Sequence, residues 1–132
     1  MKIKMEKEVT PEVLENIFVT ALEGGSNYWY YLPRESVFAV RSVVPRDVEE
    51  CLSIAIYKAV CEEGVDVPIY DAEDEEEMLG ILSASTMNER LSALAEDQGY
   101  SWALENEINE EGDAESSDVV FQYLVMGECI YG

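Results

Sequence analysis

The chain has 132 residues, 48% of them hydrophobic, which is sufficient for one domain with a buried core. It contains no histidine, which excludes Ser-His-Asp and Cys-His nucleophile systems within the chain and removes the commonest transition-metal ligand. The formal net charge of −21 disfavours nucleic acid and anionic membranes as partners and favours a basic protein.

The charge is distributed unevenly along the chain. Residues 1–58 contain nine acids and seven bases, a net charge of −2, whereas residues 59–132 contain twenty acids and one base, Arg90, a net charge of −19. This half of the chain predicts a surface for a basic partner. Acidity that serves solubility, or a high-salt habitat, is the alternative explanation.

The absence of targeting signals and the spacing of the cysteines predict a cytoplasmic protein. No apolar run approaches the ~20 residues of a membrane span, and the N-terminus has no signal-peptide core. Cys51, Cys61 and Cys129 show no metal or redox spacing, so they are expected to be small buried hydrophobes in a reducing compartment. We therefore expect a protein without a cofactor or a metal.

The first predicted elements are an N-terminal segment and a helix. Residues 1–8 alternate loosely and predict an edge strand or a frayed arm. Thr10 and Pro11 form a typical helix start, and apolar residues recur at helical spacing over residues 11–23. Gly24 or Gly25 is expected to end this helix in a left-handed conformation.

A hairpin, a helix and a third strand are predicted next. Aromatic residues at 27–32 and alternating apolar residues at 37–44 predict two paired strands. Pro45 predicts the start of a helix at 46–63, whose broad apolar stripe marks it as the central core helix. A short strand at 65–70 would complete a small mixed sheet.

The second half is predicted to be mainly helical. Its elements are an acidic loop at 71–77, a short helix through Met78, Leu79 and Leu82, a helix starting at Ser85 or Thr86, an ordered region at 98–111, a last helix at 116–126 started by Asp113 or Ser116 and ended by Gly127, and a final strand at 129–131. The predicted fold class is α+β, with residues 1–132 forming one acidic domain.

Two acidic runs are the leading candidates for a binding site. Residues 71–77 contain six acids in seven positions, and residues 105–118 contain seven acids and no base. The spacing of an EF-hand is absent, so a surface that imitates the phosphates of nucleic acid is favoured over a calcium site. The acids expected to contact a partner are Asp74, Glu75, Glu76, Glu77, Glu110, Glu111 and Asp113.

The alternative site is a glycine turn followed by aromatic residues. Its backbone N–H groups can hold an anion, and its aromatic side chains can stack on a flat ligand such as a nucleotide. The more frequent explanation of this pattern is a helix end that leads into a core strand. The residues of this alternative site are Gly24, Gly25, Asn27, Tyr28, Trp29 and Tyr30.

Three segments carry a resemblance to a known family. Glu23-Gly24-Gly25-Ser26-Asn27-Tyr28-Trp29-Tyr30, Asp71-Ala72-Glu73-Asp74, and Val120-Phe121-Gln122-Tyr123 with Gly127-Glu128 resemble a family of small uncharacterised bacteriophage and mobile-element proteins. The resemblance implies a phage or prophage setting and carries no activity or site residues. By analogy with small acidic phage proteins, we expect a non-enzymatic inhibitor of a nucleic-acid-binding host factor, such as an anti-CRISPR or anti-restriction protein.

Overall fold

The helix at the end of the chain is the element on which most of the others pack. The computed structural model describes residues 8–132, and the predicted α+β class is confirmed there. The helices are α1 Pro11–Thr20, α2 Arg34–Val43, α3 Leu52–Cys61, α4 Ala84–Glu96, α5 Ser101–Ile108 and α6 Ala114–Met126, and the strands are β1 Tyr30–Tyr31, β2 Val67–Asp71 and β3 Met78–Leu82.

Helix α6 starts and ends at the predicted residues. The Asp113 side chain accepts from the Ser116 N–H at 2.9 Å, the Ser116 hydroxyl accepts from the Asp113 N–H at 2.8 Å, and Gly127 ends the helix at φ 79°. All ten residues from 116 to 125 are buried, because α6 packs against α1, α4, α5 and β3. The central helix is therefore α6, and the prediction that residues 46–63 fill this role was wrong.

Helix α1 begins as predicted and ends differently. The Thr10 hydroxyl accepts from the Val13 N–H at 3.2 Å, and Pro11 opens the helix. The chain then continues in a wider π-helical turn, Ala21–Gly25, closed by the Ser26 N–H on the Ala21 carbonyl at 2.8 Å. Within the described residues neither Gly24 nor Gly25 has a positive φ, so the predicted left-handed end was wrong.

The hairpin predicted over residues 27–44 was also wrong. Only Tyr30–Tyr31 forms a strand, and residues 34–43 form α2. Glu35 in the first turn and Arg41 in the last complement the helix dipole. The Ser36 hydroxyl donates to the Pro68 carbonyl at 2.8 Å, which holds α2 against β2. The dipole-complementing charges and the tertiary anchor thus outweigh the strand preference of the β-branched and aromatic residues in this segment.

Helix α3 is shorter than the predicted helix at 46–63. Pro45 opens one isolated turn, and the helix itself starts at Leu52. The Arg41 guanidinium donates to the backbone carbonyls of Val44 at 3.3 Å, Glu49 at 2.5 Å and Glu50 at 3.0 Å. These bonds hold the connection in a loop, because its carbonyls face the arginine instead of a helical partner.

The sheet is antiparallel throughout, with strand order β1-β2-β3. Its hairpin joins β2 to β3, so the predicted short helix through Met78, Leu79 and Leu82 was wrong. A Cβ added at Gly80 would lie 2.1 Å from the Val125 carbonyl oxygen. The glycine therefore lets the backbone of β3 contact the backbone of α6.

The remaining predictions have mixed outcomes. Helix α4 starts after Ser83, two or three residues earlier than predicted, and the region at 98–111 is ordered as α5. Residues 129–131 form no strand. The edge strand or arm predicted for residues 1–8 lies outside the described residues except for its last position. In the part of the chain from 8 to 132, no helix has the length and apolar character needed to span a membrane.

Candidate functional site

The acids of the turn between β2 and β3 extend into solvent. This acidic turn, residues 71–77, contains Asp74, Glu75, Glu76 and Glu77, and all four are exposed. Its backbone is ordered by local bonds: the Asp71 carboxylate accepts from the Glu73 N–H at 2.8 Å, and that of Asp74 accepts from the Glu76 N–H at 3.1 Å. The turn thus presents carboxylates on a defined scaffold.

The second predicted group of acids lies in the loop between α5 and α6. This acidic loop, residues 109–113, exposes Glu110, Glu111 and Asp113. The carboxylate of Asp113 already serves as the cap of α6. Glu110 has φ 60°, in the left-handed region that side chains other than glycine adopt at a cost. The loop therefore holds its acids in a specific backbone conformation.

No base of the described chain neutralises these seven acids. Between residues 8 and 132, no lysine or arginine forms an ion pair with any of them. Lys58 pairs with Glu49 at 3.6 Å, Arg41 binds the carbonyls described above, and Arg90 donates to the Tyr123 carbonyl at 3.2 Å. The acids of the turn and loop therefore present uncompensated negative charge.

Glu107 belongs to the second acidic run but points inward, contrary to the predicted surface of carboxylates. It is 3% exposed and accepts hydrogen bonds from the hydroxyls of Ser116 and Ser117. Burial raises the pKa of Glu107 above its ordinary value, and the two hydroxyls act in the opposite direction. Glu107 lines a cavity of about 600 Å³ beside Thr10, Glu12 and Asn16.

Asp118 is the second acid that the structure places inside the protein. Its carboxylate accepts from the Ser26 hydroxyl at 2.7 Å, the Tyr28 hydroxyl at 2.5 Å and the Trp29 indole N–H at 2.7 Å. The Gln122 side-chain amide completes this Asp118 network at 3.2 Å. Four donors around one buried carboxylate offset much of its cost of desolvation.

Gln122 connects the network to the end of the chain. Its side-chain oxygen accepts from the N–H groups of Ile130 and Tyr131, both at 2.9 Å, and its amide donates to the Tyr131 carbonyl at 3.1 Å. The Tyr131 ring stacks on Trp29 at 5.6 Å between centroids, with an angle of 12° between planes. Two of the segments that carry the family resemblance thus meet in one structural network.

The six residues of the alternative site do not form one pocket, although two of them, Gly25 and Tyr28, line the same cavity. Trp29 is 2% exposed and packs in the core, and the Tyr30 hydroxyl donates to the Leu22 carbonyl at 2.6 Å. Gly24 and Asn27 are exposed. Gly25 lies against α6, where an added Cβ would be 2.6 Å from the Ala114 carbonyl oxygen. This turn therefore lacks the aromatic platform expected of a nucleotide site.

Gly25 and Tyr28 line a cavity that the sequence did not predict. This aromatic groove, about 490 Å³ in volume, lies between α5, the start of α6 and the chain end. Its aromatic lining is Tyr28, Tyr100, Trp102 and Tyr131, and its carboxylates are Glu115 and Asp118. No local signal in the sequence marks this groove, because the convergence of 28, 100–102, 115 and 131 depends on the fold.

The described residues contain no assembled metal site and no assembled site for thiol chemistry. From 8 to 132, no cluster of three or more acids, cysteines or histidines has the arrangement of a metal site. The three cysteines are separate free thiols. Burial raises the pKa of Cys61 to about 12 and also raises that of Cys129, so these two thiols carry little thiolate at neutral pH.

Comparison with known proteins adds no relative to this picture: protein-family models, curated proteins and solved structures all give no match.

Proposed function

We propose that this chain is a non-enzymatic, acidic binding protein of the cytoplasm that occupies a basic, nucleic-acid-binding surface of another protein. The observation that carries this proposal is the exposure of seven carboxylates without a basic partner in the described residues. A phage or prophage setting, in which the partner is a host defence factor, agrees with the resemblance noted above.

The physical basis of the proposal is the difference in environment between the buried and the exposed carboxylates. Buried Glu107 and Asp118 receive hydrogen bonds from neighbouring side chains, whereas the glutamates of the acidic turn receive none from the described residues. An uncompensated acidic surface attracts the same groups that bind phosphates, and it does so more strongly as ionic strength falls. The nucleotide-binding alternative has weaker support, because Trp29 is in the core.

A pull-down with a matched charge control tests the proposal. The bait is the tagged protein, and the prey is nuclease-treated bacterial lysate at low salt. We expect capture of a basic protein that duplex DNA or RNA releases in competition. In the turn variant, four acids are neutralised by D74N, E75Q, E76Q and E77Q, and capture should fall sharply.

The control variant carries the same change in net charge elsewhere on the surface. Its substitutions are E50Q, E62Q, E63Q and D66N, all at exposed positions outside the turn and loop. It should capture the partner as the original protein does. Equal capture by the turn variant and the original, or no release by nucleic acid, would contradict the proposed function.

A further inference from the structure

The aromatic groove gathers the most exposed tyrosine and tryptophan side chains of the described residues. Tyr28 is 53% exposed, Tyr100 37% and Trp102 38%, and all three line the same cavity. Large apolar side chains scattered singly over a surface are ordinary, but a contiguous group around a concavity is typical of a binding site. The groove therefore needs an explanation beyond packing.

The electrostatics of the groove favour a cation. Its lining contains the exposed carboxylate of Glu115 and, beneath Tyr28, the carboxylate of Asp118. Among the described residues that line the groove there is neither a lysine nor an arginine. Asp118 already receives four hydrogen bonds, so Glu115 is the acid available to a ligand. Burial raises the pKa of the Tyr28 hydroxyl and of the Cys129 thiol, so both groups remain neutral. Neither group therefore adds a negative charge to the groove.

Aromatic rings next to a carboxylate recognise a positively charged side chain. The face of an aromatic ring carries negative charge density and attracts a cation within about 6 Å of its centre. A guanidinium group also stacks on such faces and forms two parallel hydrogen bonds with a carboxylate, whereas an ammonium group does neither as well. A phosphate-bearing ligand is disfavoured, because Glu115 and the overall charge would repel it.

We propose that the aromatic groove receives an arginine side chain of the basic partner, with its guanidinium against Tyr28, Tyr100 and Trp102 and its N–H groups toward the Glu115 carboxylate. This inference rests on the proposed function, since it names the group by which that partner is recognised. The acidic turn then supplies long-range attraction, and the groove supplies a specific contact at short range.

The test uses a single amino-acid probe. N-acetyl-arginine amide is added to the ¹⁵N-labelled protein, and the indole N–H signal of Trp102 is followed by NMR. The neutral isostere N-acetyl-citrulline amide is the ligand control. We expect a saturable shift of the Trp102 signal in roughly the millimolar range with arginine, because the contact is small and partly exposed. Citrulline should produce no saturable shift.

Three variants locate the site. E115Q and W102A should each weaken arginine binding by about three- to fivefold or more, as judged for W102A from backbone signals of α5 and α6. F38A removes a more exposed ring on α2, 74% exposed, and should leave binding unchanged. Circular dichroism confirms that each variant is folded. Equal binding of citrulline, or unchanged affinity in both E115Q and W102A, would overturn the assignment.

Failure of the groove and failure of the proposed function give different results. If the turn variant loses the partner while W102A and E115Q capture it normally and arginine does not bind, the groove assignment is wrong and the proposed function stands. If arginine binds in the groove but the chain captures no basic protein that nucleic acid releases, the proposed function is wrong.

Discussion

Asp118 and the acidic turn show opposite environments for the same functional group. The Asp118 carboxylate lies inside the protein and receives four side-chain hydrogen bonds. Glu75, Glu76 and Glu77 extend into solvent and receive no side-chain bond from the described residues. The comparison shows that the acidity of this chain is not one property. Some carboxylates are buried within hydrogen-bond networks of the fold, and others are exposed to solvent, where the proposed function assigns them to a partner.

The largest expected effect comes from opening the Asp118 network at Trp29. Trp29→Ala removes a buried ring and the indole donor, and we expect a loss of about 3–5 kcal/mol in the free energy of unfolding. Trp102→Ala is the control, because this ring lies in the exposed groove and its loss should cost less than about 1 kcal/mol. Chemical denaturation measures both. Equal losses would show that Trp102, too, is part of the core.

A smaller effect is expected when only the charge of the network changes. Asp118→Asn keeps the side-chain volume but places an amide donor where another donor already points, so we expect a loss of about 1–3 kcal/mol. Glu115→Gln makes the same charge change three positions earlier on α6 at an exposed site and should fall within about 0.5 kcal/mol of the original. An unchanged free energy of unfolding in Asp118→Asn would mean that the network contributes little to stability.

The burial of Glu107 predicts a dependence of the stability on pH. Burial raises the folded pKa of Glu107 above the ordinary value of 4.5, so the folded state binds its proton more tightly than the unfolded state. Its contribution to stability is therefore fully present below about pH 4.5 and is lost as the pH rises through the raised value. Glu107→Gln should reduce this loss of stability between pH 4.5 and 7, whereas the exposed control Glu105→Gln should not. Parallel pH profiles of the two variants would contradict the role of burial.

The smallest and least specific effect is expected from the screening of the exposed acids by salt. Sodium chloride should raise the melting temperature steadily, because mutual repulsion among surface carboxylates is screened over a Debye length of ~8–10 Å. Calcium at constant ionic strength should add no saturable rise. A rise that saturates at micromolar calcium would follow the binding law of a specific site and would show that the acidic turn or loop holds a metal.

Local signals made part of the fold predictable from sequence. Thr10-Pro11 and the Asp113 to Gly127 segment carry their start and stop signals within a few residues, so α1 and α6 start where expected. Residues 34–43 and 78–82 were predicted in the wrong class, because their state is decided elsewhere in the chain. Ser36 is anchored by Pro68, and β3 exists through its pairing with β2.

The site was predictable in its charge and not in its geometry. Counting acids identified the turn and loop, but could not distinguish Glu107 and Asp118 from their exposed neighbours. A usable signal was present for Asp118. Helix α6 carries no charge from 119 to 126, as expected of a helix that is buried on all sides. An acid in the first turns of such a helix is therefore a candidate for burial. The aromatic groove needed the fold, since Tyr28 and Tyr100 are far apart in sequence.

The most direct test of the central claim is the affinity for the captured basic protein as a function of salt. Isothermal titration of the original protein, the turn variant and the charge-matched control at several sodium chloride concentrations gives each affinity and its salt dependence. We predict that the turn variant binds at least about tenfold more weakly with a shallower salt dependence, and that the control stays within about twofold. Equal affinities and salt dependences for the turn variant and the control would contradict a binding role for the acidic turn.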